Sequence, residues 1–138
     1  MSIKSQGSGA LGNVTAAGVQ QLLFKLLAAN MQSTADQAFA KIYGGSAYEI
    51  SSIVARQRSG AASVVCAGGV YDAAAKGGNA VVAAGQSWVT LANGIIVTAT
   101  LAALTGTTLL ANTPFLSLTT GSTAVCTADL YIFGVDIS

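Results

Sequence analysis

Residues 127–137 read Thr127-Ala128-Asp129-Leu130-Tyr131-Ile132-Phe133-Gly134-Val135-Asp136-Ile137. At the strand period of two, Leu130, Ile132 and Gly134 fall on one face. Tyr131, Phe133 and Val135 fall on the other. The segment is therefore apolar on both sides. One side belongs to a core, and the other has to meet a helix, an arm or another subunit.

The same reading extends upstream. Runs of strand type cover Asp36–Tyr43, Tyr48–Arg58, Ala62–Tyr71, Ala80–Ala84, Ser87–Leu91, Ile95–Leu101 and Pro114–Thr119. Turn residues separate them at Gly44-Gly45-Ser46, Ser59-Gly60, Lys76-Gly77-Gly78-Asn79, Ala92-Asn93-Gly94, Thr105-Gly106 and Thr120-Gly121-Ser122. Asn93-Gly94 is the strongest hairpin signal, because both residues tolerate positive φ. Short strands at this spacing predict an all-β antiparallel sandwich or barrel.

The exception is Val19, Leu22, Leu23, Leu26 and Leu27, whose spacing fits a helix. The stretch also fits a buried strand, and periodicity leaves both open. Residues 1–18 hold four glycines and no aromatic. They are expected to form a flexible N-terminal arm before a single domain at 19–138.

Composition narrows function. Of the 138 residues, 8% are charged, against roughly 25% in an ordinary domain, and none is His. The net charge is +1, and Ala, Gly, Ser and Thr make up about half the chain. Six scattered cations give no basic face, so no nucleic-acid partner is expected. Chemistry that depends on His, as a base or as a metal ligand, is excluded. With 52% hydrophobic residues and a mean hydropathy of +0.62, the chain suggests a subunit of an assembly.

The opening Met1–Gly7 has one cation and no apolar run, so no secretory leader is expected. No charge occurs between Lys76 and Asp129, and Gly94–Ala111 approaches the length of a membrane span. Its five threonines, its lack of flanking cations and its alternation at 95–102 favour a strand and no membrane partner.

Candidate chemistry is sparse. Gly7-Ser8-Gly9-Ala10-Leu11-Gly12 matches a dinucleotide pattern, but that loop needs a strand feeding into it. It reads as a glycine-rich arm, and no cofactor is expected. Cys66 and Cys126 lie in apolar runs without a CxxC or His partner, so no metal site is expected; they could bridge two strands, but with no secretory leader two buried free thiols are favoured. The acids Asp36, Glu49, Asp72, Asp129 and Asp136 lie far apart in sequence, and no catalytic residue is assigned.

Arg56-Gln57-Arg58 is the one cation cluster. Both guanidiniums project from one strand face and suit a partner's carboxylates; a solvated strand end is the alternative. Arg56, Arg58, Tyr131 and Phe133 are thus the candidate interface residues. Low charge implies association that resists salt, unless the arginines anchor it.

Four stretches carry a resemblance. They are Leu26–Ala38 (LLAANMQSTADQA), Ala67–Ala83 (AGGVYDAAAKGGNAVVA), Leu116–Gly121 (LSLTTG) and Thr127–Gly134 (TADLYIFG). They resemble recurrent segments in small structural proteins of tailed phages and prophages, and in size and composition the chain resembles the capsid cement (decoration) proteins of short-tailed phages. The resemblance spans most of residues 26–136 and contains no functional signature motif. It implies a jelly-roll β-sandwich, often dimeric or of higher oligomeric order. Such a protein binds major capsid protein on the outside of the virion, after assembly in the host cytoplasm. The family offers no catalytic residues. The resemblance assigns no match to the leucine-rich Val19–Leu27 stretch as a whole or to the Arg56/Arg58 pair. The alternatives are a tail, collar or fibre-base component, or a small ligand-binding β-sandwich module.

Overall fold

The structure is a computed structural model and describes residues 20–42, 44–92, 95–102, 109–110 and 112–138. Among them there is no helix, and the fold is an all-β sandwich of two antiparallel sheets. The strands are β1 (Gln20–Asn30), β2 (Gln37–Ala38), β3 (Ala40–Lys41), β4 (Tyr48–Gly60), β5 (Ala67–Ala73), β6 (Gly77–Val82), β7 (Ile96–Thr98), β8 (Leu109–Leu110), β9 (Phe115–Thr120) and β10 (Cys126–Asp136). One sheet runs β3-β1-β10-β4-β7, with β8 also on β4; the other runs β2-β9-β5-β6. With the two-residue strands β3 and β8 set aside, this order is compatible with jelly-roll winding.

The ambiguous stretch after residue 19 is strand β1, antiparallel to β10. Its helix-like spacing has a local cause. Leu22 pairs with Phe133 and Phe24 with Ile132, so Leu23 is an extra residue and both Leu23 and Phe24 are buried. A second irregularity lies between Leu26 and Ala29, where Ala28 adopts φ 56°. Bulges of this kind interrupt the period of two and imitate a helical one.

Several expected strands are cut differently. Asp36–Tyr43 is two short strands in different sheets, β2 on β9 and β3 on β1. The chain changes sheets at buried Phe39, whose N–H donates to the Pro114 carbonyl at 3.0 Å. The expected Ala62–Tyr71 strand begins only at Ala67. Ala61, Ser63 and Val64 donate instead to loops: Ala61 to the Val125 carbonyl, Ser63 to the Leu91 carbonyl and Val64 to Ser122 Oγ. Val65 then takes φ 51°, which breaks any ladder.

Ser87–Leu91 is a turn with one bridge, from Ser87 to Ala67. It sends Trp88 and Leu91 into the core, both fully buried. The turn expected at Lys76–Asn79 lies at Ala74–Lys76, where Ala75 and Lys76 have φ 58°, and β6 starts at Gly77. The 1–18 arm, Asn93-Gly94 and Thr105-Gly106 lie outside the described residues. Ala92 and Ile95, which flank Asn93-Gly94, do form an antiparallel bridge.

A single buried cluster fills the sandwich. It draws Phe24, Ile53, Leu130 and Ile132 from the first sheet and Val70, Val82, Leu116 and Leu118 from the second. Phe24 and Tyr48 meet edge to face at 5.3 Å. Gly134 is required by close approach, since a Cβ there would collide with the Glu49 carbonyl oxygen. The glycine lets β10 and β4 run side by side at their second irregularity, between Phe133 and Gly134.

Candidate subunit interface

The two faces of β10 divide as the sequence indicates. Leu130 and Ile132 are fully buried between the sheets. Tyr131 and Phe133 point outward and are half-buried. Strand register then assembles an outer surface from distant segments. Leu22, Phe133 and Ser52 lie side by side across β1, β10 and β4. In the next row, Lys25, Tyr131, Val54 and Thr98 run from β1 to β7. In the third, Asp129 stands beside Arg56, and Arg56 beside Ile96, which is 61% exposed.

Asp129 is the centre of this surface. Its position in the alternation points it outward, yet the residue is only 1% exposed. The β1 bulge supplies one partner: the Ala28 N–H donates to Oδ1 at 2.9 Å. Arg58 Nη1 donates to the same oxygen at 3.1 Å, and Arg56 Nη2 to Oδ2 at 3.3 Å. Burial by itself would push this carboxyl up. The Ala28 N–H, then Arg58, then Arg56 outweigh it and hold the group below its ordinary range.

Arg56 and Arg58 are thus brought together, as their spacing suggested. The carboxylate they hold belongs to their own chain. Their side chains remain 60% and 48% exposed, so each guanidinium keeps donors facing solvent. Sequence reasoning missed Asp129 as their partner, along with Leu22, Lys25, Val54 and Ile96 as neighbours. Asp129 does share the parity of Tyr131 and Phe133. Only the register of β4 on β10 places it beside the arginines.

The remaining acids with resolved partners hold turns and ends. Asp36 accepts from the Ala75 N–H at 2.6 Å, and this bond is the main cause of its lowered pKa. Asp72 accepts from the Asn79 N–H at 2.7 Å across the β5–β6 turn. Asp136 accepts from Ser138, whose hydroxyl and N–H lower its pKa.

Cys66 and Cys126 are free, buried thiols. Burial first, and then the neighbouring Cys126 thiol, push Cys66 up to about 11. Burial also raises Cys126. Among the described residues no group of three or more His, Cys, Asp or Glu is placed to hold a metal ion. No helix among them is long and apolar enough to cross a membrane.

No known family profile, curated protein or solved structure matches the chain.

Proposed function

We propose that the chain is a virion structural protein: a capsid cement (decoration) protein that associates with itself and with major capsid protein on the outside of a phage head. The observation that carries this reading is the outer face of the β3-β1-β10-β4-β7 sheet. It presents Leu22, Tyr131, Phe133, Val54 and Ile96 in a chain that is only 8% charged. Aromatic and apolar side chains beside arginine match the composition of interface centres. The four stretches that resemble phage structural proteins, together with a size and composition similar to those of cement proteins, support the capsid assignment. An enzymatic role has no support in the arrangement of Asp36, Asp72, Asp129 and Asp136, whose carboxylates serve turns, strand ends and the arginine pair.

A ligand-binding module would be expected to cluster exposed aromatics on its loops. Trp88 is instead fully buried, with its indole N–H donating to the Gly68 carbonyl at 3.1 Å. The test is rebinding to phage heads stripped of this chain. Wild-type protein is expected to rebind and to raise the temperature at which heads open. Phe133→Ser, checked for an intact fold by circular dichroism, is expected to lose both effects. Wild-type protein that is folded and shows no affinity for such heads would overturn the proposal.

A further inference from the structure

The described residues include five cations: Lys25, Lys41, Arg56, Arg58 and Lys76. Two are placed elsewhere. Lys41 lies on the edge strand β3, donates to the Gly45 carbonyl at 3.0 Å and sits 5.8 Å over the Tyr48 ring. Lys76 lies in the β5–β6 turn. The other three gather on one surface. Lys25 is beside Tyr131 in register, Tyr131 is beside Val54, and Arg56 and Arg58 meet over Asp129 one row away.

Asp129 does not neutralise the group. One carboxylate faces two guanidiniums and a lysine lies nearby, so the patch is net positive. The carboxylate also fixes both forks, each through a single Nη, and leaves the other N–H groups outward on half-exposed side chains. A fork held in place loses less side-chain entropy when it closes on a second carboxylate. The surrounding Tyr131, Phe133, Val54 and Ile96 supply apolar contact beside it.

We infer that this face docks a partner protein segment that carries acidic and apolar side chains together on one face, with its carboxylates on Arg56, Arg58 and Lys25 and its apolar groups on Tyr131 and Phe133. The inference deepens the proposed function and rests on it, because it names the chemistry the capsid partner presents at this face. Residues 1–19 do not fit the role, as they contain Lys4 and no acid. From this face a second copy offers only Asp129, already held by its own arginines, and Glu49, at the opposite end beside Val135.

The test uses the full chain and a fluorescent synthetic peptide that places Glu, Val and Ile at every second position, with Ser between them, so that all three share one strand face. A Lys-for-Glu peptide and a short oligothymidylate serve as comparisons. The acidic peptide is expected to bind, and to weaken by about tenfold between about 50 and 300 mM salt. Arg56→Gln with Arg58→Gln is expected to cost another factor of about ten. That double variant leaves Asp129 with fewer partners, so Lys25→Gln is measured beside it. Lys25 makes no side-chain bond to Asp129, and its loss is expected to weaken binding several-fold with the melting temperature unchanged.

Equal binding of the acidic and basic peptides would overturn the inference, as would equally tight binding of the oligonucleotide. Unchanged affinity in both variants would do the same. Sedimentation of the same samples separates the two levels. Intact self-association without peptide binding removes only this inference. Peptide binding by a protein that stays monomeric, and shows no affinity for heads, removes only the cement reading.

Discussion

Replacing Asp129 with alanine removes the acceptor that three donors share: the Ala28 N–H, Arg58 Nη1 and Arg56 Nη2. Hydrogen bonds to charged groups contribute about 1.5–3 kcal/mol, and breaking a fully buried ion pair costs about 3–5 kcal/mol. Here the guanidiniums are 60% and 48% exposed and recover water once freed, so the ion-pair part is small. The Ala28 N–H is left without its acceptor in a bulge held at φ 56°. The expected loss is therefore about 2–3 kcal/mol, or roughly 6–12 °C in melting temperature for a domain of this size. Urea denaturation followed by circular dichroism gives the number directly. Arg58→Ala is expected to cost only about 1 kcal/mol, because Asp129 keeps its backbone donor and Arg56.

The pH dependence of the same comparison carries a definite sign. The folded carboxyl is held below its ordinary 3.8, so its contribution is present above that value and is lost as pH falls through the folded pKa. The stability gap between wild type and Asp129→Asn should accordingly narrow only on the acid side. Asp129→Ala at wild-type stability, or Arg58→Ala costing as much as Asp129→Ala, would show that the β1 bulge does not depend on this carboxylate.

Val65 is a β-branched residue at φ 51° and is 59% exposed; Val65→Asn, suited to that backbone region, is expected to raise stability by about 0.5–1 kcal/mol in the same urea titration. Cys66, raised from 9.0 to about 11, is expected to react with a disulfide reagent at neutral pH only at the rate of unfolding. Because its folded pKa lies above the unfolded one, its contribution is intact below pH 9 and falls by about 2–3 kcal/mol as pH rises to about 11, so Cys66→Ala should lessen the alkaline loss of stability. Truncating Ile132, fully buried between the sheets, to alanine is expected to cost about 2–5 kcal/mol by calorimetry, whereas Phe133→Ser on the outer face should cost far less.

The β class and the two-sided character of β10 were legible because alternation is a local property. Leu130 and Ile132 against Tyr131 and Phe133 is a pattern that needs no knowledge of neighbours. Tyr48–Arg58 and Pro114–Thr119 were legible for the same reason, to within two residues of β4 and β9. What the pattern could not show was which strand lies beside which. The helix-like spacing of Leu22–Leu27 comes from bulges against β10, visible only once Leu22 is set on Phe133 and Phe24 on Ile132. The run Ser63-Val64-Val65-Cys66 has strand composition, but its backbone is claimed by Leu91 and Ser122 from other loops. Arg56 and Arg58 were visible as a pair. Asp129 joins them from 73 and 71 residues away, and that partnership is set by antiparallel register between β4 and β10.

A cryo-electron microscopy reconstruction of the intact virion tests the central proposal most directly. The expected result is this β-sandwich on the outside of the head, repeated in register with the major capsid protein lattice, with Tyr131 and Phe133 covered by a neighbour. Density for the sandwich only in the tail or collar, or on the head with that face open to solvent, would contradict it.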